Sequence, residues 1–200
     1  MPCTRMAIPL RYIATGEGHV RAGASKKEEN MGWTSKEIAR YHQFAKQYIS
    51  TYGERIDCAD LAISALIDFA SKNKLPVKLK YFRGGWKWIV YNPSLDNAVK
   101  FRNNAMRMLG ALNIIDNTIP IFIGSAEAGD FIMSKWNSAL GHTRIIYSID
   151  YKTKENDFSI VWYQGNLPPV KPEKRNELFS KIEGVYDKRP RRWNFEQFNN

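Results

Sequence analysis

The sequence predicts an α+β fold, with N-terminal helices packed on a mostly antiparallel β-sheet. Two observations carry this. Residues 34–109 show apolar side chains at three- and four-residue spacing, whereas the chain beyond 119 breaks into short β-branched and aromatic runs separated by turn residues. Helices followed by a block of strands is the order of an α+β domain. With 200 residues, the chain is long enough for one domain with a substantial core.

Residues 1–32 are Gly-rich and weakly patterned, and read as an irregular N-terminal arm before a single domain over 33–200. "TSKE" at 34–37 is a capping box, in which Thr34 caps and Glu37 reaches back. Ile38, Tyr41, Ala45, Tyr48 and Tyr52 then line one helix face, and Gly53 ends the helix. His42 falls off that apolar stripe and is expected at the surface. A second helix starts at Asp57 with Leu61, Ala62, Ala65, Leu66 and Phe69 on one face, and closes before Pro76.

The aromatic stretch 77–93, broken by Gly84-Gly85, is either a short hairpin or an ordered loop. Ser94 is the expected start of a third helix reaching Leu109. "IPIFI", "DFIMSKW", "HTRIIYSID" and "FSIVWY" are the expected strands. In the basic C-terminal extension "DKRPRRWNFEQF", Trp193, Phe195 and Phe198 should dock on the domain, with the arginines on its exposed face.

The formal net charge of +10 favours acidic partners. No apolar run approaches the roughly 18–20 residues of a membrane span, so no span is expected. The N-terminus lacks the sustained apolar stretch of a secretory signal, so synthesis in the cytoplasm is expected. Cys3 and Cys58 are too few for a disulfide framework, although one bridge between them stays open. Neither zinc-ligand spacing nor a glycine-rich phosphate loop is present, and no cofactor is expected.

"ERIDCADLAISALIDFA" places Cys58 immediately after the N-cap Asp57, at the positive end of a helix. Such a position, helped by a histidine, lowers a thiol pKa toward roughly 3.5–7.5, while Asp57 and Asp60 oppose the shift. Of the three histidines, His142 opens a strand and is the best base; His19 sits in the irregular arm. If 142–150 and 158–166 form a hairpin centred near residue 154, His142 faces Asn166 and Arg144 faces Gln164. Asn166 is therefore the expected orienter of the imidazole, with Gln164 the fallback. Asp150 lies roughly 25 Å along the same strand, out of reach. Tyr52 and Trp136 are candidate oxyanion donors, although a plain core role accounts for each as well.

Asp57-Cys58 opening a helix, Gly129-Asp130 before an apolar strand and His142 opening "HTRIIY" together resemble the NlpC-type cell-wall peptidases of the papain-like cysteine peptidase superfamily. The likeness covers roughly residues 50–166. It implies a papain-like fold, with Cys58 as nucleophile, His142 as base and Asn166 or Gln164 as third member. It further implies a hydrolase cleaving peptidoglycan stem-peptide amides. The sequence departs from the family in having Ala59-Asp60 after the cysteine, and in the long segment between Cys58 and His142. The compact build without a signal peptide resembles antibacterial amidase effectors of type VI secretion. That likeness implies action in a target cell's periplasm, an immunity protein and a secretion-apparatus partner. The alternative is a non-enzymatic nucleic-acid-binding protein, suggested by the cationic and aromatic stretches Arg83–Trp88 and Arg189–Trp193. A third reading leaves Cys58 merely buried in a partner-binding protein.

Overall fold

A computed structural model describes residues 32–200. The expected N-terminal arm, with Cys3 and His19, lies outside these residues except for Gly32.

The fold is α+β. Helix α1 spans Ser35–Thr51 and α2 spans Cys58–Lys72. Strands β1 (Val77–Phe82) and β2 (Trp86–Tyr91) form a two-stranded hairpin around Gly84-Gly85. Helices α3 (Ala98–Met108) and α4 (Ala111–Asp116) follow. The main sheet comprises β3 (Thr118–Pro120), β4 (Phe131–Lys135), β5 (Gly141–Lys152), β6 (Asp157–Gln164), β7 (Glu173–Leu178) and β8 (Arg191–Trp193), in the order β3-β8-β4-β5-β6-β7. Every neighbouring pair is antiparallel. A short helix α5, Phe195–Phe198, closes the chain.

Thr34 caps α1 by accepting from the Glu37 amide, but the Glu37 carboxylate turns to Arg40 at 2.8 Å instead of reaching back. Tyr41, Ala45 and Ile49 bury the face pointing at α2. Helix α2 is buried along most of its length, with Leu61, Ala62, Leu66 and Ile67 all at 0% exposure. Each fully buried Leu or Ile contributes about 1.5–3 kcal/mol, so α2 is the pillar of the core.

Several expectations need correction. His42 is buried, with Nδ1 2.7 Å from the Ala128 carbonyl, because the loop before β4 folds over α1. The third helix begins at Ala98 with Asn97 as its cap, since Asn97 accepts from the Lys100 amide and Ser94 lies in the preceding turn. "IPIFI" yields only the short β3, after which residues 123–125 form a 3₁₀ turn. Trp193, Phe195 and Phe198 do enter the core, the Trp193 indole donating to Tyr41 Oη at 3.0 Å. The arginines beside them are not simply an exposed face. Strand β8 lies between β3 and β4, so Arg191 is buried and donates to Thr118 and to the Ile115 carbonyl. Arg192 clamps the buried Asp130 at 2.8 Å. The Gly129-Asp130 pair has a structural explanation as well: Gly129 has φ +87°, and a Cβ there would lie 2.6 Å from Ala45 Cβ.

Candidate active site

Cys58 stands where its sequence placed it. The Asp57 side chain accepts from the Asp60 amide at 2.7 Å, capping α2, and Cys58 is the first helical residue. The segment before it is tied down on one side by the chain leaving β6. Ile56 N donates to Val170 O at 2.9 Å, and Ile56 O accepts from the amides of Asn166 and Val170. Gly165 packs so tightly here that a Cβ would lie 2.4 Å from Ile56 O and 2.5 Å from Asp57 O. The end of β6 is therefore pressed against the N-terminus of α2.

β5 carries His142, the candidate base. Ile145 pairs with Tyr163 and Ile146 with Trp162, the register expected from the turn; a bulge between Ile146 and Ser148 shifts the pairing farther along the hairpin. Asn166 nevertheless is not the orienter. β6 ends at Gln164 and the chain leaves the sheet at Gly165, so Asn166 never comes opposite His142. Its Oδ1 accepts from the Leu167 amide instead. Gln164 reaches diagonally to His142, with Oε1 2.8 Å from Nε2. An amide oxygen only accepts, so Nε2 carries the proton and Nδ1 holds the free lone pair of the neutral ring. Trp136 stacks on this imidazole with ring centroids 6.1 Å apart and planes 14° from parallel.

Cys58 lies beside the start of β5, the strand that carries His142. The Thr143 backbone N–H, one residue beyond His142, faces the Cys58 sulfur and favours its thiolate. Burial outweighs it: the thiol is pushed above its ordinary 9.0, and the Asp57 charge adds to the rise. The opposition expected from Asp57 is present, and the helix terminus by itself does not lower the thiol pKa. Burial also holds His142 below its ordinary 6.5, against the opposing Gln164 hydrogen bond. Among the described residues, no side-chain hydrogen bond joins the two, and burial disfavours the charged form of each.

Two neighbours do more here than their place in the sequence indicated. Arg144 shares the His142 face of the sheet and donates from Nη1 to Ser134 Oγ at 2.7 Å. Its charge lowers the His142 pKa. Asp60, in the first turn of α2, has a buried Oδ1 without a hydrogen-bond partner among the described residues, and its carboxyl is pushed up to about 7 by burial and by Asp57.

Cys58 opens onto a cleft of about 580 Å³ lined by Phe82, Leu112, Lys135, Leu140, Leu167 and Tyr186 among others. Tyr52 does not line it and packs on Tyr48, while Trp136 is engaged with the imidazole; neither is placed as an oxyanion donor. A larger groove of about 830 Å³ along α3 contains neither histidine nor cysteine. No group of three or more His, Cys, Asp or Glu side chains converges to hold a metal among the described residues. No helix there is long and apolar enough to cross a membrane.

No family model, curated protein or solved structure matches this chain.

Proposed function

We propose that the protein is a papain-like cysteine hydrolase of the peptidase and amidase type, with Cys58 as nucleophile, His142 as base and Gln164 as orienter. The observation that carries this reading is the 2.8 Å Gln164–His142 contact, held beside the α2 N-terminus that presents Cys58 to a cleft.

In the first step Sγ attacks an amide carbonyl while His142 Nδ1 takes the thiol proton. The pairing of a raised thiol with a lowered imidazole makes this transfer concerted with attack. The Cys58 backbone amide, at the helix terminus, stabilises the developing oxyanion. The imidazolium then protonates the leaving amine, leaving a thioester. Water, deprotonated by His142, resolves it to a carboxylic acid and restores the thiol.

The substrate in this reading is an amide in peptidoglycan stem peptides or another acidic polymer, to which a net charge of +10 is complementary. The same reading makes the chain a candidate antibacterial effector, exported by a type VI system and neutralised at home by an immunity protein. Nucleic-acid binding is the second reading. One of its two supports is weakened, because Arg191 and Trp193 are buried and Arg192 is paired with Asp130.

The test is incubation with purified peptidoglycan and mass analysis of the released fragments. Wild type should yield fragments with new amine and carboxyl ends, and Cys58→Ala should yield none. Identical fragment spectra from the two proteins sink the reading.

A further inference from the structure

The β1–β2 hairpin has an unusual outer face. Alternation puts Lys78, Lys80 and Phe82 of β1 on the same side as Val90, Trp88 and Trp86 of β2, because these residues pair directly across the ladder. The opposite side, with Val77, Leu79 and Tyr91, is buried in the core. On the outer side Phe82 is 63% exposed, Trp86 56%, Trp88 46% and Val90 54%. Lys80 Nζ lies 5.3 Å from the Trp86 ring centre and Lys78 Nζ 5.0 Å from that of Trp88. Lys78 Nζ also donates to the Asn200 carbonyl. Across 77–91 there are four basic residues and no acidic one.

Large aromatic side chains on a free surface mark a binding site, and here they are interleaved with cations. The face is also continuous with the nucleophile's cleft, because Phe82 belongs to both. From these observations we infer that the outer face of the hairpin binds the sugar backbone of the anionic polymer whose amide enters the Cys58 cleft. This rests on the hydrolase reading for the identity of the polymer.

Sugar rings present flat C–H faces that stack on indole. The acidic groups of the polymer meet Lys78 and Lys80, whose positions over the indoles leave them beside the stacked ring. Trp86 and Trp88 are about 6.8 Å apart along the strand, far enough to engage successive rings. Continuity with the cleft favours the substrate polymer over a single-stranded nucleic acid, whose bases would suit the same rings. The chain's own residues 1–31 carry five basic and three acidic residues, so their charge does not complement the face.

The experiment is co-sedimentation with purified peptidoglycan sacculi, using full-length Cys58→Ala so that binding is read without turnover. Trp86→Ala/Trp88→Ala should weaken sedimentation at least tenfold, and Lys78→Gln/Lys80→Gln should flatten its salt dependence. The tryptophan variant should keep the parent's melting temperature, because both indoles are exposed, while the lysine variant gives up only the Lys78 contact with the Asn200 carbonyl at the chain's end. Unchanged sedimentation of the tryptophan variant overturns the proposal. So does parent protein that binds a dT20 oligonucleotide but not sacculi. A face that sediments no polymer until residues 1–31 are removed, or one that only mediates a dimer dispersed by the tryptophan variant, overturns it as well. Tryptophan-dependent sedimentation without any Cys58-dependent cleavage upholds the surface and fails the hydrolase reading instead.

Discussion

Gln164 Oε1 sits 2.8 Å from His142 Nε2, and it gets there because β6 stops at Gln164 and not two residues later. The contact fixes the tautomer, with the proton on Nε2 and the free lone pair on Nδ1. Gln164→Ala should lower kcat about 10- to 100-fold, short of the roughly 10²–10⁴ supplied by a positioned acid–base group. Asn166→Ala should stay within a few-fold of wild type, since its side chain serves the local turn. Steady-state kinetics on the released amine decides; the reverse ranking restores Asn166 as the orienter.

The pH profile carries the same geometry. Burial keeps His142 neutral to below its ordinary 6.5, so the acid limb of kcat/KM should have its midpoint below that value. The Gln164 hydrogen bond acts in the opposite direction and raises the imidazole pKa. Removing it should therefore move the acid limb to still lower pH, a shift that simple loss of packing would not produce. In the resting protein, iodoacetamide alkylation of Cys58 should climb only as pH passes above 9.0, because the thiol is raised from that value. Rapid labelling near pH 6 contradicts a neutral resting pair.

The parts of the fold written in local chemistry were legible. Thr34 and Asp57 are caps, and caps followed by helical periodicity located α1 and α2 and put Cys58 at its helix terminus. The hairpin register next to the turn is one residue away from the expected one, and the pairing near His142 agrees only because the bulge between Ile146 and Ser148 offsets that difference. What failed depended on tertiary packing. Helix α4 is six residues long, too short for a period to show. Strand β7, "EKRNEL", is a charged edge strand with little apolar alternation, and β8 is three residues inside a basic run. His42 was misplaced because the loop that covers it is remote in sequence. The choice between Gln164 and Asn166 turned on where β6 ends, and that is decided by the contact of Gly165 with the backbone of Ile56 and Asp57.

Asp60 gives a stability prediction with a definite sign. Its folded-state pKa is pushed up to about 7 from an ordinary 3.8, so the folded protein holds this proton to higher pH than the unfolded chain does. Stability is consequently lost as pH rises between those two values, and the loss is complete above about 7. Asp60→Asn removes the ionisation while keeping the shape. The variant should gain about 1 kcal/mol relative to wild type between pH 5 and pH 8, after discounting the shift for partial solvent exposure. Thermal melts of both proteins across that range measure it. A gap that narrows with rising pH means the carboxylate is ionised without penalty, through a partner such as a bound cation.

Gly165 joins the site's stability to its chemistry. Its φ lies outside the left-handed region, so its importance is one of space and not of backbone freedom. A Cβ at this position would meet Ile56 O at 2.4 Å and Asp57 O at 2.5 Å, both backbone atoms that cannot rotate aside. Gly165→Ala must therefore push the end of β6 away from the α2 N-terminus, at about 1–3 kcal/mol of overpacking. The displaced residue adjoins Gln164, and the displaced partner adjoins Cys58. Turnover should accordingly fall more than tenfold even at temperatures where the variant remains folded. As a control, Gly53→Ala should leave turnover unchanged, because a Cβ there meets nothing within 4 Å. If Gly165→Ala melts lower but keeps full kcat, the junction of β6 with α2 supports the fold without setting the distance between nucleophile and base.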